Sequence, residues 1–573
     1  MASINKYRLI GLAIIVFSVY AGSLNNGFTN WDDGSHLIYN DNVRDFSLNR
    51  IDDIFVQTVL KSYIPLTILS FGIEHASFGF NPLIFHLNNI LLHLLSVILI
   101  YQISLKLKFT SEVSFFSALL FGIHPIHVES VAWITERKDV LYSVFYLGAL
   151  LKYLDFCESR KREDYLVSVV LGVLSLLAKP IAISLPLILI LIDYYRDKTT
   201  IIRNIANKLP FFIVSVILGS LTYINHIRIP LKGIYESFLL LCWSFSFYII
   251  KFLIPINLVP LYKLPEPVSL FNYQYVIAMF IAISVLIIFI KCGNKIVRFA
   301  IAYYILSIFF LFKLDTSETV IVADRYMYLP SYGFCLLIAS YLCGICNVSK
   351  AIKAAACFLL IFAMAFLTYS QTFIWKDSVS LWSHNIKNEQ EFYLPYLHRG
   401  NEFKARGMYE KAAKDYSRAI ELNSNFPELF VSRANAYSSL GKYELAEMDF
   451  LRAYKIDPKS PSLHVDRGVL YIKMKQYDLA LEEFSRAIQL DPKSVLAYSN
   501  RASIYVNQGR YALALQDLNK SASINQFLPG TFYNRSICRS LTRDIPGAIE
   551  DAIKAKSLGM EGLEQYIEIL KSF

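Results

Sequence analysis

Asp32 and Asp33 stand side by side in Phe28-Thr29-Asn30-Trp31-Asp32-Asp33, a polar stretch directly after the first apolar run of the chain. A carboxylate beside an incoming hydroxyl takes its proton during attack and makes it a nucleophile. At a low-dielectric boundary its pKa is also pushed up towards the range such work needs. The same pair followed by Gly34 fits a simple turn, and residue type and position leave both readings open. A second cluster runs from His124-Pro125-Ile126-His127-Val128-Glu129 through Trp133 to Arg137-Lys138-Asp139. His124, His127 and Glu129 lack a third strong ligand at an established metal spacing, so no metal is expected. Arg137 and Lys138 with the two histidines read instead as an anion-binding loop, beside the plainer reading of juxtamembrane charges without a role. In a third cluster, Asp324-Arg325-Tyr326-Met327-Tyr328, an arginine beside two tyrosines suits phosphate pairing and sugar stacking. An interfacial aromatic belt explains the tyrosines equally well, though not the Asp324–Arg325 pair. His86, Asn88, Asn89 and His93 sit inside an apolar run, where polar groups must face the bundle interior as packing hydrogen bonds or as the lining of a cavity. Glu74 and His75 fall under the same rule.

These clusters need elements to position them. The chain has 573 residues, 55% apolar, 15% aromatic and 18% charged, which excludes a wholly soluble fold. Residues 9–372 hold repeated apolar runs of roughly 17–25 residues, each able to cross ~30 Å of hydrocarbon. The net charge of +10 does not point to nucleic acid, because the basic residues gather in short loops such as Lys106/Lys108, Arg160-Lys161-Arg162, Arg196/Lys198/Arg203 and Lys291/Lys295/Arg298. With eight cysteines, most in apolar runs, and Cys343/Cys346 a lone Cys-x-x-Cys, neither a disulfide framework nor a zinc site is expected.

Lys6 and Arg8 put the N-terminus on the cytoplasmic side, and the run 9–24 reads as a retained helix rather than a cleaved signal. Further spans fit at 83–105, 113–132, 139–157, 165–178, 181–195, 210–227, 271–290, 298–314, 331–347 and 355–372, about eleven helices in all. The stretch 236–256 is long enough to cross, yet the charge rule favours an interfacial or re-entrant helix there, and 63–80 is ambiguous. Residues 25–61, 124–139, 256–270 and 315–330 then converge on the outer face.

From residue 391 onwards the chain repeats every 34 residues, the length of a tetratricopeptide repeat. Arg399, Arg433, Arg467, Arg501 and Arg535 are one series; Ala412, Ala446, Ala480, Ala514 and Ala548 are another. The expected fold is all-α: a polytopic membrane domain over 1–372, an amphipathic connector over 373–390 anchored by Trp375 and Trp382, and about five repeats plus a cap over 391–573. Grooves of such arrays bind polypeptides, and the topology places this one on the same side as Asp32 and Asp33.

Phe28–Asp33, Phe85-His86-Leu87-Asn88-Asn89, His124–Trp133 and Asp324–Pro330, in this order ahead of the repeats, resemble the transmembrane-and-tetratricopeptide-containing proteins of the C-type glycosyltransferase superfamily. The resemblance implies an inverting, O-mannosyltransferase-like enzyme that takes mannose or a similar hexose from a polyprenyl-phosphate donor. Its acceptor would be a hydroxyl of an exported protein held by the repeats. It implies a bacterial plasma membrane, or an endoplasmic reticulum in a eukaryote, and no cofactor beyond the lipid-linked substrate. The essential first-loop acid would be Asp33 or Asp32, with Asp33 favoured. The donor phosphate would meet Arg325, Arg137 and Lys138, with His124 and His127 completing the anion site. Glu129, Trp133, Asp324, Tyr326, Tyr328, His86 and Asn89 would line the cavity. Where the family has Tyr-Arg-Pro-Leu this chain has Tyr63-Ile64-Pro65-Leu66, one cation fewer. The rival readings are glycosylation of a lipid-linked glycan or envelope polymer, and a non-enzymatic membrane scaffold.

Overall fold

The computed structural model describes residues 2–48, 51–196, 205–226, 233–312, 320–344, 349–526 and 528–573. Lys198, Arg203, Cys346 and positions 315–319 of the fourth outer stretch lie outside them. The chain divides into two compact units, Met1–Glu391 and Phe392–Phe573. Both are helical.

In the first unit, apolar sequence on every side of a helix leaves no face for water, so the helices must pack on one another or on lipid. Pro82–Lys106, the longest at 25 residues, starts on an Asn81 cap whose side chain accepts from Leu83 N, with Pro82 in the first turn. It packs against Ser111–Ile123 and Arg137–Ser159, and the latter forms a hairpin with Arg162–Ala178. Small polar side chains bind these helices together: Ser96 to Ser143 at 2.9 Å, Ser104 to Tyr332 at 3.0 Å, and Ser175 to the Tyr142 carbonyl at 2.9 Å.

Among the described residues, six helices are long and apolar enough to cross a membrane, or seven if Ser111–Ile123 and Pro125–Ala132, bent by 52°, form one broken span. This is fewer than the eleven expected. Of the expected spans at 165–178, 181–195, 298–314 and 331–347, the described residues form the helices Arg162–Ala178, Leu185–Arg196, Lys295–Ile308 and Ser331–Gly344, and positions 313–314 and 345–347 lie outside them. Pro180 closes the helix before it by forcing an extended Lys179. The stretch 236–256 forms the 20-residue helix Ile234–Leu253, of crossing length. Its later turns contact His124 through the Phe252 carbonyl and Ala323 through the Tyr248 hydroxyl. The ambiguous 63–80 stretch forms Pro65–Phe78, where Gly72 admits the Phe46 ring so closely that a Cβ would lie 2.4 Å from it.

The connector is no free linker. Ser378–Asn388 is a helix capped by Asp377 and belongs to the first unit. Trp375 and Trp382, expected as an interfacial anchor, are buried at 3% and 0% exposure.

The second unit contains five helix pairs, from Tyr393–Ala405 with Tyr409–Leu422 to Pro529–Leu541 with Ile545–Ser557. Glu564–Lys571 closes the stack, burying Leu563, Ile567 and Leu570 against Phe532 and Ala552. The alanine series is fully buried where paired helices approach. Each arginine of the series binds the carboxylate 16 residues on: Asp415, Asp449, Glu483, Asp517 and Asp551.

Candidate functional site

The first loop wedges into the bundle through Asp33. One carboxylate oxygen accepts from Thr29 N at 2.7 Å and Thr29 Oγ1 at 3.0 Å; the other accepts from Trp133 Nε1 at 2.8 Å and from Thr135 Oγ1. Asp33 is 1% exposed. Burial pushes its carboxyl above the ordinary range, while those four hydrogen bonds pull it back down. Asp32 is the opposite. It is half-buried, its backbone carbonyl accepts from His36 N and faces His36 Nδ1, and its carboxylate receives no hydrogen bond from the described residues. Two adjacent acids therefore have separate environments: one is the hub of the loop, the other is available to a ligand.

Four of the five tryptophans surround this hub. Trp31 stacks on Trp133 with ring centroids 4.4 Å apart, Trp133 stacks on Trp375 at 5.4 Å, and Trp382 meets Trp31 edge-on at 5.4 Å. The connector holds the loop from outside: Trp382 Nε1 donates to Asn30 Oδ1 at 2.7 Å, Asn30 N to Ser378 Oγ at 2.9 Å, and Gly27 N to the Lys376 carbonyl at 2.9 Å. Asn385 pairs with both backbone groups of Leu261, at 3.0 and 2.9 Å. One short helix thus fixes both loops that border the site.

Arg325 lies over Trp31 and Trp133, its guanidinium carbon 5.5 and 5.7 Å from the ring centroids, and 5.2 Å from that of Tyr326. Its backbone N donates to Glu129 Oε2 at 3.0 Å, Nη1 binds Glu129 Oε1, and Nε faces Glu136 at 3.3 Å. Its Nη2 makes no hydrogen bond among the described residues. Glu136 also pairs with Lys138 at 3.0 Å and Lys179 at 3.1 Å, and Lys179 reaches Asp139. Three carboxylates (Glu129, Glu136, Asp139) thus balance three cations (Arg325, Lys138, Lys179) in one network. Behind it, Asp324 accepts the Tyr262 hydroxyl at 2.8 and 2.9 Å on its two oxygens, and burial together with Glu129 holds its carboxyl well above the usual range. Tyr326 is half-buried beneath Arg325.

Other expected site residues occupy different positions. Arg137 is 1% exposed and its guanidinium is spent on Glu74, on Asn89 and on the Phe85 carbonyl. Asn89 in turn donates to the Trp133 carbonyl at 3.1 Å, so this pair supports Trp133 from behind rather than offering donors to a phosphate. His124 Nε2 faces the Phe252 carbonyl at 2.9 Å and its Nδ1 accepts from Ile126 N at 3.2 Å, stopping the helix at Pro125. His127 is held between the Phe121 carbonyl at 2.7 Å and Ser331 at 2.9 Å. Tyr328 is buried with its hydroxyl 2.6 Å from His93 Nδ1, and His86 is buried against the Asn26–Gly27 backbone. Ile64 fills an apolar cluster with Leu37, Ile68, Phe71 and Phe85. Among the described residues no three His, Cys, Asp or Glu side chains converge as metal ligands.

Lys179, Glu136, Asp139, Trp31, Trp375, Trp382 and Tyr262 are site residues the sequence reading did not select. Lys179 carried one signal, a lysine directly before proline between two apolar runs.

Comparison with known proteins matches this framework. Residues 72–224, which carry Glu74, Asn89, Glu129–Asp139 and Lys179, match the dolichyl-phosphate-mannose-protein mannosyltransferase family. Residues 400–441 and 470–509 match tetratricopeptide repeats. A Caenorhabditis elegans protein O-mannosyl-transferase, F38B6.6, is 23% identical over 385 residues, covering 64% of this chain and 55% of the relative. Human protein O-mannosyl-transferase TMTC1 is 24% identical over 426 residues, 63% of this chain and 48% of the relative. Mouse TMTC3 is 32% identical over a shorter 162 residues, 27% and 17% of the two chains. The chain spans about half the length of the first two. A segment similar to the mannosyltransferase family thus precedes a tetratricopeptide array, an arrangement similar to that of the transmembrane-and-tetratricopeptide-containing O-mannosyltransferases.

Proposed function

We propose that the chain is an integral-membrane glycosyltransferase. It moves a mannose or similar hexose from a polyprenyl-phosphate donor to a hydroxyl of an exported polypeptide, at the exoplasmic face of a bacterial plasma membrane or its endoplasmic-reticulum equivalent. The observation that carries this reading is the half-buried Asp32 carboxylate, which receives no hydrogen bond from the described residues, on a loop whose Trp31 lies under Arg325. In the reaction, Asp32 takes the acceptor proton as its oxygen bonds to the anomeric carbon. The bond from that carbon to the phosphate oxygen breaks, and the configuration inverts. The departing phosphate gains negative charge, which the free Nη2 of Arg325 and the half-buried Lys138 receive. Glu129 and Glu136 hold Arg325 in place, so the donors are oriented before the charge develops. The tryptophan faces supply a stacking surface for the sugar. Asp33 positions the loop. The repeats bind the acceptor chain.

The test is transfer of labelled sugar from polyprenyl-phosphate donors by detergent-purified protein to polypeptide in a membrane extract. Asp32→Asn should lower turnover by about 10²–10⁴-fold with donor binding intact. Asp33→Asn should lower thermal stability as well, because an amide cannot accept all four hydrogen bonds. Full transfer by both variants overturns the proposal. Label recovered in glycolipid assigns a lipid-linked acceptor instead, and no donor consumption with any sugar leaves a scaffold.

A further inference from the structure

At the end of the bundle remote from Asp33 lies a cavity of about 600 Å³ with one sign of charge. Lys295 and Arg298 line it, with Tyr194 and Tyr195 beside them and Leu191 and Phe299 among its apolar surfaces; no acidic residue is among its lining. Its position follows from Pro82–Lys106. Near the start of that helix, Asn89 supports Trp133, and just past its end Phe109 stacks on Tyr195 at 6.0 Å. From Asn89 to the helix end at Lys106 the axis rises ~26 Å.

The cations are arranged for a ligand. Lys295 Nζ sits 4.8 Å over the Tyr195 ring, an orientation that leaves its ammonium without an ion-pair partner among the described residues. Arg298 gives one Nη to the Ile290 carbonyl at 3.2 Å, and its Nε, shielded from solvent, has no acceptor among the described residues. Both belong to the first turns of Lys295–Ile308, whose helix dipole adds positive potential. Two other basic clusters of this unit are paired with acids: Lys106 with Asp155 and Glu158, and Lys208 with Asp193. A second cavity of similar size, about 610 Å³ between Trp243 and Gln274, contains both signs, Lys251 and Lys263 with Glu266 and Glu389. Two unneutralised cations over an apolar floor at a helix end match a phosphodiester with acyl chains. They match neither a soluble anion, which has no use for the floor, nor a neutral lipid, which has none for the cations.

We propose that this cavity binds the headgroup of an anionic phospholipid, with Lys295 and Arg298 on the phosphate and the chains along Phe289 and the exposed Ile290. The site is separate from the proposed transfer reaction, and its test reads binding alone. Full-length protein in neutral detergent is titrated with dioctanoyl phosphatidylglycerol, and its melting temperature is followed against dioctanoyl phosphatidylcholine and inorganic phosphate. Phosphatidylglycerol should stabilise the wild type and phosphatidylcholine should not. Lys295→Gln/Arg298→Gln should weaken the effect about thirtyfold. The charge-keeping exchange Lys295→Arg/Arg298→Lys should retain it, and Lys161→Gln/Arg162→Gln at exposed positions should leave it unchanged. Equal stabilisation by both lipids, an unaltered response in the neutralised variant, or a response to inorganic phosphate as strong as to the lipid would each overturn the assignment.

Discussion

Arginine–carboxylate pairing recurs in both compact units, and the use made of it differs. In the repeats, Arg433 binds Asp449 through Nε at 2.7 Å and Nη2 at 2.8 Å, reaches back to Ser417 at 3.0 Å, and covers Tyr437. Arg501 does the same with Asp517, Ser485 and Tyr505. Both pairs tie their own two helices to the preceding repeat; Arg467 departs, with Nη1 on Glu483 at 3.0 Å and a buried Nε that has no partner among the described residues. In the membrane unit Arg137 is closed in the same way on Glu74 and Asn89. Arg325 is not: it binds Glu129, shares Glu136 with Lys138 and Lys179, and keeps above two indole rings an Nη2 that makes no hydrogen bond among the described residues. A guanidinium with all its donors filled serves the fold. One held in place with a donor to spare can receive charge.

Substitution should separate the two uses, and the largest difference falls on turnover. Arg325→Lys keeps the charge but removes the fork, and is expected to cost about 10²–10³-fold in kcat with little loss of Tm. Arg433→Lys should leave kcat unchanged and lower stability by about 1–2 kcal/mol. Equal effects of the two on activity would erase the distinction drawn here.

Arg137 sharpens it further. Arg137→Met strands Glu74 in the bundle and is expected to destabilise the membrane unit by about 3–5 kcal/mol. Arg137→Met/Glu74→Leu should recover most of that loss. If Arg137 instead served the donor phosphate, the single variant would lose transfer at unchanged Tm, and the double variant would not recover.

A smaller effect comes from His36 beside the free acid. Burial, with Lys138 nearby, holds its pKa down to about 4 from an ordinary 6.5. Between those values the unfolded chain takes up a proton that the folded protein refuses. Stability therefore rises with pH from about 4 to 6.5 and is lost as pH falls, by about 2–3 kcal/mol across the window. Thermal melts of wild type and His36→Gln over that range should show the slope in the first and its flattening in the second.

How far the sequence revealed these roles depended on the distance between partners. The repeat arginines declare themselves because each partner recurs 16 residues on, within one supersecondary unit. The Asp32–Asp33 pair and Arg325 were also visible, as rare charges beside apolar runs. What stayed hidden were long-range pairings. Arg137 beside Lys138 looked like a phosphate ligand because Glu74, 63 residues upstream, gives no local sign that it will neutralise it. Lys179 resembled any loop cation until the fold brought it to Glu136 and Asp139. The connector tryptophans suggested a membrane anchor, since nothing near them announces that Trp382 will reach Asn30, 352 residues away. The different surroundings of the two acids were hidden for a similar reason: Asp33 accepts from Trp133 and Thr135 of another loop.

The repeat unit offers the smallest and cleanest test, because its own periodicity supplies the control. The turn between paired helices places a left-handed residue at every thirty-fourth position: Gly407 at φ 72°, Gly441 at 74° and Gly509 at 73°, but Lys475 at 61° and Arg543 at 66°. Glycine takes this conformation freely, whereas a Cβ there crowds the following carbonyl. Lys475→Gly should therefore stabilise the repeat unit by about 0.5–1 kcal/mol despite the added freedom of its unfolded chain, and Gly441→Lys should cost a similar amount. Neither change touches an arginine pair or the membrane unit, so kcat should stay at the wild-type value. A shift in turnover from either would mean that repeat stability feeds the reaction, and the separation of the two arginine uses would then have to be redrawn.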